Sequence, residues 1–143
     1  MLHQAVKEFK NIRINHHNIP FDKECNPYIT TNMHPKACFM SKGAIAAGLQ
    51  GNYWEMNSLL YENRPKSIEK ITELSDKIGL DKEKFLKDLE SKETNAKFAQ
   101  EIDEAEELDI DATPTMIING EKIVGVKPYS NLKEILIKHG AKK

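Results

Sequence analysis

The chain has 143 residues, 30% charged and 39% hydrophobic, with a formal net charge of -1. That length gives one domain-sized unit with a real core, and the composition excludes a disordered chain. The near-neutral balance, with no basic stripe, excludes nucleic acid as a partner, and no apolar run reaches the length of a membrane span.

The opening MLHQAVKEFKN lacks the apolar core of a secretory leader. This leaves a cytosolic protein, or a secreted one whose leader lies outside these residues. Leu2, Ala5, Val6 and Phe9 stand at helical spacing and read as the end of a helix. In IRINHH, Ile12 and Ile14 alternate with Arg13 and Asn15, the pattern of a half-buried strand. NIPFDKECNPYITTNMHPK holds three prolines and reads as a long loop, with Pro35 suited to the first position of the next helix.

Residues 35–49 form an Ala-rich helix whose small side chains predict close packing, and a second helix follows Gly51 with Trp54, Leu59, Leu60 and Tyr61 as its apolar bulk. Ile68, Ile71, Leu74 and Ile78 mark a third helix ended by Gly79. Asp81 caps a fourth that buries Phe85, Leu86 and Leu89. Phe98, Ile102 and Ala105 mark a fifth. Its other face carries the first of the acids that run from Glu101 through Asp103, Glu104, Glu106 and Glu107 to Asp109 and Asp111, read as a solvated surface. TMIING and EKIVG are two short strands joined by Asn119-Gly120, a strong hairpin signal, and Leu132, Ile135 and Leu136 mark a closing helix. The whole order predicts an α/β fold with a helical insertion at about 34–108.

Pro114 stands directly before an apolar strand. Proline is kept out of central strands, so it marks either a strand's first residue in the trans form or a cis turn that ends sheet pairing. In the cis reading, Thr113 offers backbone groups to an extended peptide.

ATPTMIINGEKIVGVKPYSNLKEIL resembles the C-terminal part of DsbA-like thioredoxin-fold proteins: a Thr-Pro-Thr turn, a strand ending in Asn-Gly, a second strand and a helix. HPKACFMSKGAIAAGLQGNYWEMNSLLYEN resembles the inserted helical subdomain of that family. VKEFKNIRINHHNIPFD resembles the helix end, strand and loop that follow its active site. The resemblance covers essentially the whole chain. It implies a thioredoxin-like fold, thiol–disulfide oxidoreductase activity on thiol- or disulfide-containing protein substrates without a cofactor, and a periplasmic or extracytoplasmic setting, a cytoplasmic one being the alternative. It also implies that Pro114 is cis and that Thr113 and Pro114 bind substrate.

That chemistry needs two cysteines as CxxC at a helix N-terminus, where the first thiol is acidified and the second resolves the mixed disulfide. The chain holds no CxxC. Against the family pattern, Met1 falls a few residues past that motif, and the central strand before it is missing as well. The resemblance therefore implies an N-terminally truncated chain, inactive by itself, with an incomplete sheet. The exposed edges are then closed by direct pairing of the remaining strands, or by a second chain in a homo-oligomer or strand-swapped dimer. The other functional reading is a non-catalytic peptide-binding module that keeps the Thr113–Pro114 platform alone.

Cys25 and Cys38 are the chain's two cysteines, and they flank the long loop. They read as a second redox pair, or as a disulfide that pins the loop to the Ala-rich helix and contributes about 3 kcal/mol in the chain-entropy model. With His34 and His16 or His17 they also allow a zinc reading, though the spacing fits no standard site. A DsbA-like subgroup with CNP in the loop and HPxAC at the helix start looks similar here. That resemblance favours the structural disulfide in an oxidising compartment, with no metal site.

Overall fold

The computed structural model describes residues 1–143. In chain order the elements are α1 (Leu2–Glu8), α2 (Ala37–Gly48), α3 (Tyr53–Asn63), α4 (Ile68–Lys77), α5 (Lys82–Leu89), α6 (Lys92–Glu107), β1 (Thr115–Ile118), β2 (Glu121–Val124) and α7 (Tyr129–Lys138). They form two compact units: Asn18–Leu108, and Met1–His17 together with Asp109–Lys143.

The Asn18–Leu108 unit is built around α2, which packs against α3, α4, α5 and α6. The reason is in its sequence. Ala44, Ala46 and Ala47 are buried, and a Cβ placed on Gly43 would stand 3.4 Å from the Ile71 side chain. Neighbouring helices thus reach the α2 backbone closely. Met56, Ile71, Leu74 and Phe85 are fully buried around it, each burial worth roughly 2 kcal/mol. The helix boundaries follow side-chain chemistry. Ser67 accepts from the Lys70 N–H, Asp81 from Lys84 at 2.8 Å and Ser91 from Thr94 at 3.1 Å. Gly79 leaves α4 at φ +72°, a conformation glycine takes without penalty.

Two sequence expectations are corrected in this unit. Pro35 is not the first residue of α2; it sits in a turn, and Lys36, at φ +74°, is the residue before the helix. Ile68 and Leu86 were expected to face inward but are 55% and 40% exposed, because α4 and α5 are covered on one side only. Trp54 is half-buried, set edge-on to Tyr53 at 5.6 Å.

The second unit holds α1, the β1–β2 hairpin and α7. The hairpin register pairs Thr115 with Val124 and Ile118 with Glu121, leaving Asn119 and Gly120 as a two-residue turn. Both turn residues have positive φ, +47° and +89°, as the type I′ geometry demands. Residues facing each other across the pair share a face. One face carries Met116, Ile118 and Ile123, with Ile123 buried; the other carries Thr115, Ile117, Lys122 and Val124, with Ile117 and Val124 exposed. Ala5, Phe9 and Leu132 are the other buried apolar residues of this unit. Glu8 joins α1 to α7: it accepts from the Tyr129 hydroxyl at 2.6 Å and pairs with the Lys133 ammonium at 2.6 Å.

The strand expected over IRINHH is absent. Ile12, Ile14 and His16 are half-buried and alternate with exposed Arg13, Asn15 and His17, so the period-two burial is present. The sheet, however, contains β1 and β2 alone. A strand exists through its ladder, and residues 12–17 share no ladder with β1. Direct pairing of these two segments, one of the sequence expectations, does not occur.

Candidate functional site

The site begins with the antiparallel register. Hydrogen-bonded and non-hydrogen-bonded pairs alternate along such a ladder. The Gly125 N–H donates to the Pro114 carbonyl at 2.8 Å, so Pro114–Gly125 is a hydrogen-bonded position. Met116–Ile123 and Ile118–Glu121 follow as the next two. The backbone N–H and C=O groups of Thr115 and Ile117 consequently point away from β2. No backbone hydrogen bond from another segment reaches them.

Thr113 and Pro114 are both exposed at the start of this edge, and the bond between them is cis. Proline suits the position because its missing N–H would face β2 at the ladder's last pair, where the Pro114 carbonyl makes the remaining bond. The Thr115 hydroxyl donates to the Ala112 carbonyl at 2.7 Å and fixes the turn leading into β1. The result is a short strand with one paired edge and one row of unpaired polar groups.

Cys25 and Cys38 are bonded to each other, with Cα atoms 5.9 Å apart. Both cysteines are half-buried. The disulfide consumes both sulfurs, so the zinc grouping with His34 loses its two thiolate donors. The stretch around Cys25, residues 20–28, is held by its own polar side chains. Asn26 donates to the Pro20 carbonyl at 3.0 Å and accepts from the Tyr28 N–H at 3.1 Å; Asp22 accepts from the Glu24 N–H at 3.1 Å. Asp22 is fully buried, and its second carboxylate oxygen has no partner.

Glu101 departs from its sequence reading. It is 2% exposed rather than part of a solvated acidic face. It accepts from the Asn18 backbone N–H at 2.8 Å and from the Asn18 amide at 3.0 Å, with Lys97 3.6 Å away. The Asn18 amide also donates to the Tyr53 hydroxyl at 2.9 Å, and burial holds that phenol well above its usual range. Periodicity does not reveal this cluster, because Glu101 stands in a run of acids. The one available signal was the density of Asn and Asp in a proline-rich loop, where such side chains bond to nearby backbone. Asp103 does lie on the exposed side; it accepts from the Tyr28 hydroxyl at 3.1 Å, and that bond raises the phenol's pKa.

A family profile described as the DSBA-like thioredoxin domain matches residues 1–137. Among solved structures, a thioredoxin-like oxidoreductase from Silicibacter pomeroyi DSS-3 superposes with a TM-score of 0.60 at 22% identity, over 74% of this chain and 62% of that one. Among curated proteins, a Na(+)/H(+) antiporter NhaA 3 of Salinispora tropica is 33% identical over 104 residues, 70% of this chain and 15% of its own length. A Na(+)/H(+) antiporter NhaA 1 of Salinispora arenicola is 29% identical over 123 residues, 83% of this chain and 17% of its own length. The chain thus spans about a sixth of the antiporters it matches, and no helix in it is long and apolar enough to cross a membrane. The profile match over nearly the whole length, the thioredoxin-like superposition and the Thr-Pro-Thr hairpin agree, and the chain belongs to the DsbA-like thioredoxin family.

Proposed function

We propose that residues 1–143 are the client-docking part of a thiol–disulfide oxidoreductase, and that an extended segment of a protein client adds to the open edge of β1. The observation that carries this reading is the outward backbone groups at Thr115 and Ile117, next to exposed Thr113, on a strand paired along one edge only. Main-chain bonds supply affinity in such strand addition and tolerate many client sequences. Exposed Ile117 and Val124 offer apolar contact beside the edge.

In the reaction served by this docking, a thiolate attacks a client disulfide to form a mixed disulfide, and a second thiol resolves it. The sequence holds no CxxC, and its two cysteines are bonded to each other. The exchanging pair opposite Pro114 therefore comes from outside these residues, and the residues alone bind clients without turning them over there. Family membership and the internal disulfide support an extracytoplasmic setting. The unpaired edge supports pairing with a strand of another chain, including a second copy, when no client is present.

The test is binding of an unfolded, thiol-alkylated protein fragment to the Cys25→Ala/Cys38→Ala form, compared with the same form carrying Ile117→Pro. Proline is tolerated at an edge where the lost N–H faces outward. Binding that weakens at least about tenfold with the fold intact supports the reading; unchanged binding refutes it.

A further inference from the structure

Cys25 and Cys38 differ in what surrounds them, and the difference is chemical. Cys38 is the second residue of α2, a helix of 12 residues. No side chain caps that helix. The Ala37 N–H donates to the His34 carbonyl and the Met40 N–H reaches Lys36 at 3.5 Å, while the Cys38 and Phe39 N–H groups meet no acceptor. An uncapped helix start holds a thiolate, because its free N–H groups and dipole favour negative charge. Cys25 lies in the opposite setting. It packs against Ile45, Phe98 and Ile102, and its sulfur is 3.7 Å from the Asp22 carbonyl, an acceptor suited to a protonated thiol. Cys38 is the more distant from that carbonyl, at 4.0 Å.

We infer that the Cys25–Cys38 bond is an exchange site for a protein dithiol, with Cys25 the attacked sulfur and Cys38 the leaving thiolate. A thiolate of the partner attacks Cys25 Sγ. The Cys25–Cys38 bond breaks, its electron pair stays on Cys38 at the start of α2, and a partner–Cys25 disulfide forms. The partner's second thiolate attacks its own bridged sulfur, closing the partner disulfide and expelling Cys25. Cys25 takes up a proton and directs its S–H to the Asp22 carbonyl. The partner loses two electrons and two protons; Cys25 gains one proton, Cys38 remains a thiolate, and the second proton passes to solvent. The site uses residues of the helical unit alone and stands independently of docking at Thr113.

The experiment uses the intact chain and, as probe, a thioredoxin whose resolving cysteine is replaced by serine. The expected result is a mixed disulfide formed without denaturant and mapped by mass spectrometry to Cys25. In the reduced chain, Cys38 should be alkylated by iodoacetamide at least tenfold faster than Cys25 at pH 6, with an apparent pKa clearly below the ~8.5 of a free thiol. Lys36→Asp places a carboxylate at the helix start and should slow the exchange several-fold. A bond reduced only after unfolding, trapping on Cys38, or a Cys38 pH profile like that of a free thiol would each overturn the assignment.

Discussion

Glu101 accepts both the backbone N–H and the side-chain amide of Asn18, at 2.8 and 3.0 Å, from a position 2% exposed on α6. One carboxylate thus ties the start of the irregular segment to the longest helix of its unit. Removing it leaves the buried Asn18 N–H without an acceptor and the Asn18 amide with the Tyr53 hydroxyl alone. Glu101→Ala is expected to lose about 3 kcal/mol in urea denaturation. Glu101→Gln keeps an acceptor oxygen and should lose less. A Glu101→Ala loss within ~0.5 kcal/mol would show that the cluster holds nothing in place.

The disulfide acts on the same segment by a different route. It removes conformations from the unfolded chain, and for a loop of this length the chain-entropy model gives about 3 kcal/mol. Cys25→Ala/Cys38→Ala should lower stability by that amount while leaving client binding at β1 unchanged. Loss of binding in the double variant would couple the two units in a way the docking proposal does not include.

The link between α1 and α7 predicts a pH dependence. The Lys133 ammonium, with help from the Tyr129 hydroxyl, holds the Glu8 carboxyl down at about 2 from an ordinary 4.5. A carboxylate with a depressed folded pKa stabilises fully above its unfolded value, and the contribution fades as pH falls towards the folded one. The Tm gap between the parent and Glu8→Gln should therefore be constant above about pH 5 and close progressively between 4.5 and 2. The group is partly exposed, so salt should shrink the gap. A gap that is independent of pH would contradict the assignment.

At the hairpin, Gly120 sits at φ +89° with open space where a Cβ would stand. The penalty for a side chain there is conformational rather than steric crowding. Gly120→Ala should cost about 1 kcal/mol by thermal unfolding; no change in Tm would mean that the turn relaxes to another type.

The features legible in the sequence were those set by local chemistry. Asn119-Gly120 announced its turn because both residues tolerate positive φ, and Asp81 announced a helix start because its side chain can reach the Lys84 N–H. The features missed depend on partners distant in the chain. Ile12 and Ile14 carry the alternation of a strand, but pairing needs a neighbour and periodicity does not supply one. Leu86 has the spacing of a core residue, yet nothing packs over that side of α5. Glu101 looked like its acidic neighbours, and only the fold brings Asn18 to it. Pairing of Cys25 with Cys38 was implied by resemblance, since spacing alone left three readings open. Thr113 and Pro114 drew notice as a proline before a strand; the direction of the free edge required the register.

Amide hydrogen exchange on residues 113–118, with and without an unfolded, thiol-alkylated protein fragment, tests the docking proposal most directly. The N–H groups of Thr115 and Ile117 face the open edge, whereas those of Met116 and Ile118 belong to the β2 ladder. The fragment is expected to slow exchange at Thr115 and Ile117 and to leave Met116 and Ile118 nearly unchanged. Protection spread evenly along the strand, or confined to the helical unit, would contradict it.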